Sequence, residues 1–306
     1  MDLYDFQTEP VLKAIEGGFD LHVHCSPDFY PRGFDDFELA RSLDRLGMAG
    51  AVLKSHHTDT GTRTWLVNKY SGARARLYGG VTLNCYNGGL NPYAVEAAAG
   101  LGARLLWMPT KNARNEQEHL PEHLRTAGIC LLNDNGTLRQ EVHDVLDIAE
   151  AKNLAVATGH ISTAESVVFC REARRRGLRT VLTHPESPTT KAPLEVQKEL
   201  AALGVFIEEE WVINDECKVK ADSGRPDLDF HFDMNVAKAA ARIREIGFEH
   251  CILSSDAALP DYPDSPASIY AFAKCLICQE NFSPEQVSRM TRTNTGIILD
   301  ITEAQA

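Results

Sequence analysis

The reading of this chain turns on Phe19-Asp20-Leu21-His22-Val23-His24, a short apolar run carrying two histidines one residue apart. On an extended strand, successive side chains point to opposite faces. His22 and His24 then share one face, while Leu21 and Val23 pack on the other. Imidazole is the commonest protein ligand for zinc and related ions, and two rings on one side of a strand can grip the same ion. A single pair of this kind also fits two polar residues at a strand end. The weight comes from the strands that follow.

Working outward, apolar runs that read as buried strands fall at 19–25, 50–56, 76–84, 103–109, 154–160, 179–184, 204–211 and 250–256. Segments with helical periodicity lie between and after them, at 35–47, 62–72, 91–101, 138–152, 163–176, 193–203, 235–247 and 265–280. Near-continuous Val, Ile, Leu and Ala in the strands, alternating with helices, indicates a parallel sheet covered by helices. Eight such repeats are what a (β/α)8 TIM barrel requires. An open doubly wound sheet would place a glycine-rich phosphate turn after the first strand; here that turn reads Cys25-Ser26-Pro27-Asp28. The expectation is a single α/β domain over residues 1–306, with a core at 19–299.

Local punctuation agrees. Asn91-Pro92 suits an N-cap followed by proline at the first helical position. Ser162 with Glu165, and Ser283 with Gln286, have capping-box spacing, and the second pair opens a last helix at 284–292. Two connections are too long for plain turns: Lys111 to Gly128 after the fourth strand, and Val212 to Met234 after the seventh. An extra short strand or hairpin is expected at Ile129 to Leu132. Long loops on the C-terminal face of a barrel are candidate specificity elements.

The strand ends carry the chemistry. Strand 1 supplies His22 and His24. Strand 2 ends with Lys54 and His56 on one face; strand 5 ends in His160, strand 6 in His184, and strand 8 in Asp256. A histidine on a strand is more often a structural hydrogen-bond partner than a ligand. Yet all of these fall at the C-terminal ends of barrel strands, so they would converge on one mouth.

Composition bounds the partners. No stretch approaches 18 consecutive apolar residues, and the N-terminus has neither a basic nor an apolar leader segment. A membrane partner is therefore not expected. A net charge of −12 disfavours a nucleic-acid backbone. Eight scattered cysteines in a long chain fit a reducing cytoplasm. A small-molecule substrate is the expected partner, and a homo-oligomer is left open.

HxH after strand 1, His after strands 5 and 6 and Asp after strand 8 resemble the amidohydrolase superfamily of metal-dependent hydrolases. The resemblance spans Asp20 to Leu299, and the ending Ser283-Pro284-Glu285-Gln286-Val287 with Thr293-Asn294-Thr295-Gly296 is similar to that superfamily's closing helix. The words Lys54-Ser55-His56, Leu106-Trp107-Met108-Pro109-Thr110 and Ala157-Thr158-Gly159-His160 resemble a little-characterised branch of it. The resemblance implies one or two divalent ions, zinc first, with manganese or iron(II) as alternatives. Its ligands would come from His22, His24, His160, His184 and Asp256. Such an ion lowers the pKa of bound water from near 15.7 to about 7. Asp256 would shuttle the proton, and His184 would bind a second ion or donate to the attacked carbonyl.

The chain departs from the two-metal pattern, in which a carboxylated lysine ends strand 4. Here strand 4 ends Trp107-Met108-Pro109-Thr110, with Lys111 just beyond. Lys54 is an alternative: a carbamate carrier, a cation for substrate charge, or an ion-pair partner of Glu208 or Glu210. Arg32, His56, Asn84, Lys111 and Glu208 are candidate substrate contacts. Three functions stay open: hydrolysis of an amide, lactone or cyclic amide bond; phosphoester hydrolysis, deamination or decarboxylation at the same metal; and a non-catalytic ligand-binding barrel. Cys275 with Cys278, and His119 with His123, have metal-like spacing, but a packed helix face and a solvated face explain them better.

Overall fold

The computed structural model describes residues 1–211, 236–260 and 262–301. Its centre is one sheet of eight parallel strands in sequential order: β1 (Phe19–Val23), β2 (Gly50–Leu53), β3 (Arg76–Thr82), β4 (Ala103–Trp107), β5 (Ala155–Ala157), β6 (Thr180–Leu182), β7 (Phe206–Glu210) and β8 (Cys251–Ser254). The exit of β8 returns to β1: Val23 bridges Ala257 in parallel, and the His24 N–H donates to the Ala257 carbonyl at 2.9 Å. The expected (β/α)8 barrel is what the chain forms.

The expected helices appear with ends shifted by a few residues. Ser162 and Ser283 both close capping boxes with Glu165 and Gln286, and Asn91 accepts from the Tyr93 N–H. Each cap satisfies backbone donors that the first helical turn leaves free. The last helix is longer than expected, running Pro284–Ser288, a wide π-helical turn over Arg289–Thr293, and Asn294–Leu299. Two short helices escape the sequence reading: Glu9–Ile15 before the barrel, and Arg114–His119 inside the long connection after β4. In that connection Ile129 makes a parallel bridge to Ala113, and Leu132 an antiparallel one to Leu138. The long connection after β7, at 212–234, lies outside the described residues. No described helix is long and apolar enough to cross a membrane.

Phe19, Leu21, Val52, Leu105, Trp107 and Ile252 fill the barrel interior, while a larger cluster joins the outer strand faces to the helices. The barrel is thus a packed plug, and only its rim is left for chemistry. One expectation about β1 is corrected. Leu21 packs in the interior cluster and Val23 in the outer one, so they do not share a face. The cause is a register irregularity against β2 between Asp20 and Val23. A bulge of this kind breaks the two-residue alternation locally and re-aims a side chain. Leu21 can therefore plug the barrel while His22, the next residue, reaches the rim.

Candidate metal centre

Five imidazoles ring the C-terminal mouth. Going round, ring centroids are separated by 5.5 Å from His22 to His24, 4.8 Å to His56, 5.9 Å to His160, 4.8 Å to His184 and 5.9 Å back to His22. All five residues are buried. They come from the ends of β1, β2, β5 and β6, which meet here only because the sheet closes. Two of the site residues, His184 and Asp256, have left-handed backbone conformations, with φ of 27° and 45°. Such conformations cost a non-glycine residue about 1–3 kcal/mol and cluster at functional sites.

Two groups of possible ligands share His22: one with His24 and Asp256, the other with Glu208 and Glu210. Asp256 Oδ1 lies 3.1 Å from His22 Nε2 and 3.2 Å from His24 Nε2. Burial acts to raise the Asp256 carboxyl, but His22 and His24 outweigh it and hold the group well below the usual carboxylate range. Behind His22 stand two glutamates of β7. Glu210 Oε1 is 2.8 Å from His22 Nδ1, and both Glu208 oxygens lie within hydrogen-bond distance of the same nitrogen, at 3.3 and 3.4 Å. Glu208 also accepts from the Ser254 hydroxyl and the His184 N–H. It is thus a support for His22 and His184, buried beneath the rim. Burial, with Asp256 and Glu208 nearby, pushes the Glu210 carboxyl well up, although His22 opposes the shift. Burial also works against a charge on His22, but Asp256, Glu208 and Glu210 together hold that imidazole well above its ordinary value.

Lys54 Nζ sits 2.7 Å from His22 Nε2 and 5.6 Å above the Trp107 ring. Its contact is therefore with the histidine, and burial lowers its pKa. His160 Nδ1 lies 3.2 Å from Glu116 Oε2, whose other oxygen accepts from Lys111 at 3.0 Å. Lys111 is thereby tied to the short helix Arg114–His119. Burial pushes the His160 imidazole down to about 4. Arg32 bridges Asp28 at 2.6 Å and His24 Nδ1 at 3.4 Å. Asn84 is buried with its amide fully used: its oxygen accepts from the Thr110 and Asn112 N–H groups, and its nitrogen donates to Thr110 Oγ1 and the His56 carbonyl.

Two residues not among the expected site residues, Thr110 and Glu116, touch this constellation directly. Glu210, expected only as an ion-pair candidate for Lys54, meets His22; in Glu208-Glu209-Glu210, alternation puts the first and third on the same face as each other. The alternatives set aside do not converge here. Cys275 is buried and Cys278 exposed on the helix Ser265–Cys278, and His119 and His123 are exposed.

Do these residues suit a divalent cation? Two imidazole nitrogens and a carboxylate oxygen converge, a donor set appropriate to zinc. The carboxylates behind His22 Nδ1 are the kind of outer support that orients a ligating imidazole. His184 Nδ1 is buried with no hydrogen-bond partner among the described residues. A buried polar atom of this sort normally has a partner, so His184 also fits a ligand. The residues fit the group, with one condition: the Lys54 ammonium and a cation are alternative neighbours for His22 Nε2.

The fold is shared with solved enzyme structures. The chain is similar to the probable dipeptidase PvdM from Pseudomonas aeruginosa (TM-score 0.64, 11% identity, 98% of this chain and 99% of that one). It is similar to dihydroorotase from Saccharomyces cerevisiae (0.61, 13%, 95% and 86%) and to 2,6-dihydroxybenzoate decarboxylase from Rhizobium (0.52, 12%, 93% and 99%). At these identities the likeness establishes the barrel fold and nothing finer. No curated protein matches the sequence. A family model does match, over residues 17–208, from the HxH strand to the first of the β7 glutamates, and the chain accordingly belongs to the Family of unknown function (DUF6282).

Proposed function

We propose that this protein is a metal-dependent hydrolase that opens an amide, lactone or cyclic amide bond of a small metabolite. One observation carries the reading: His22 Nε2, His24 Nε2 and Asp256 Oδ1 meet at the barrel mouth inside a ring of five imidazoles. His22, His24 and Asp256 would hold the ion, with His160 and His184 completing the set or holding a second one. Zinc is the first candidate. When bound, the ion supplies Lewis-acid polarisation and acidifies water near neutral pH.

The chain's own residues supply the rest. Asp256, kept ionised by His22 and His24, holds and passes a proton at its carboxylate oxygen. Glu208 and Glu210 fix the His22 ring from behind. His22 Nε2 would be free for a cation once Lys54 turned toward substrate charge, or once its neutral amine added to CO2 and lost a proton to become a carbamate. Buried Lys54, with Arg32 at the rim, favours a second reading: an anionic substrate, as in phosphoester hydrolysis or decarboxylation.

The test is Asp256→Asn, with metal content measured beside turnover in a screen of lactones, amides and phosphoesters. Turnover should fall about 10²–10⁴-fold, the usual worth of a positioned acid–base group, while most of the metal is retained. Full activity in this variant would end the assignment.

A further inference from the structure

His56 lies in the imidazole ring between His24 and His160, yet it is not in the group closest to Asp256. Its proton can be placed from the hydrogen bonds around it. Asn84 Oδ1 accepts from two backbone N–H groups, those of Thr110 at 2.8 Å and Asn112 at 3.2 Å. That orients the amide, because turning it over would set an NH2 against two N–H donors. Asn84 Nδ2 then donates to Thr110 Oγ1 at 2.6 Å and to the His56 carbonyl at 2.9 Å. Thr110 is fully buried, so its hydroxyl must find an acceptor for its own hydrogen. The acceptor at hand is His56 Nδ1, 2.8 Å away. A neutral imidazole whose Nδ1 accepts carries its proton on Nε2. Nε2 has no hydrogen-bond partner among the described residues.

We infer that Asn84 and Thr110 lock His56 as an Nε2–H donor aimed at an acceptor oxygen of the substrate: the carbonyl oxygen that gains negative charge as the bond is attacked. His56 is thus a catalytic residue of the oxyanion-stabilising kind, and Thr110 and Asn84 are positioning residues. A donor held ready in a water-poor site is worth more than one that must reorient, and removing such a donor costs about 10²–10³-fold in kcat. The identity of the oxygen rests on the hydrolase reading; the placement of the proton does not. The site therefore selects substrates with an accepting oxygen, carbonyl or carboxylate, over those presenting an N–H or ammonium group at that position.

The experiment is long-range 1H–15N correlation NMR on the full chain labelled at histidine, as purified and after zinc loading, with His56→Gln used to assign the resonance. The expected result is a protonated Nε2 and a bare Nδ1 for His56. Acetate serves as the oxygen-acceptor probe and should shift the His56 Nε2–H signal. Thr110→Ser should keep the tautomer, and Thr110→Val should mix it. A proton on Nδ1 in the unmodified protein overturns the inference, and so does an Nε2–H signal that acetate leaves unmoved. Failure of the hydrolase reading shows separately, as absence of zinc uptake or of chelator-sensitive turnover, with the tautomer result unaffected.

Discussion

Replacing Arg242 with methionine gives a stability defect whose size depends on pH. Arg242 lies on the helix Val236–Ile246, and its guanidinium grips Glu209 at 3.0 and 2.5 Å, with Glu186 at 3.3 Å. Glu209 points to the helix side of β7, opposite Glu208 and Glu210. Burial pushes its carboxyl up to about 7 even though Arg242 pulls it down. A carboxyl whose folded pKa is raised binds more protons folded than unfolded. Its contribution to stability is full below the unfolded pKa and is lost as pH rises toward the folded one. In the unmodified protein that loss runs from the ordinary value near 4.5 up to about 7 and then stops. Without Arg242, burial is unopposed, the folded pKa climbs further, and the loss continues into alkaline pH. The part of the guanidinium's benefit that is linked to Glu209 titration is near zero at about pH 6 and rises to at most about 2 kcal/mol at about pH 8.5, since each pH unit above the folded pKa is worth about 1.4 kcal/mol. Methionine keeps much of the packed stem, which leaves the charge effect in view. Urea unfolding of both proteins at the two pH values measures it, and Glu209→Gln added to the variant should abolish the pH dependence. A defect that is constant with pH, or larger in acid, would refute the reasoning.

Glu210→Gln should lower zinc affinity about 10–100-fold, the usual effect of removing a carboxylate that orients a ligating histidine; chelator competition reads it, and unchanged affinity would show that His22 is held by other means. Gly80→Ala tests the plug beneath the site, because a Cβ there would lie 2.3 Å from Trp107 Cζ3 and 3.0 Å from the Leu105 carbonyl. Overpacking at that point should destabilise by about 1–3 kcal/mol, measured by denaturant unfolding with tryptophan fluorescence. Gly159→Ala adds a Cβ 2.4 Å from the Met108 carbonyl at a residue with φ of 61°. It should displace the neighbouring His160 and reduce metal stoichiometry, if His160 is a ligand, more than it changes the far-ultraviolet circular dichroism.

Local sequence alone determined the alternation of strands and helices, the capped helix starts at Asn91, Ser162 and Ser283, and the placement of His and Asp at strand ends. These rest on interactions within a few residues: propensity, backbone capping and apolar runs long enough to cross a buried sheet. Only the tertiary structure decided who faces whom. The slip between Asp20 and Val23 depends on pairing with β2, so Leu21 fills the barrel although strict alternation had placed it with Val23. Lys54 meets His22, and its partner among Glu208, Glu210 and substrate could not be chosen before the barrel closed. Thr110 ends a recognisable strand-4 word and Glu116 carries no motif, but nothing local says that they meet His56 and His160; closure of the sheet and the path of the chain after β4 decide that. Contacts between residues far apart in the chain are set by strand register and closure, which are properties of the whole sheet and of no single segment.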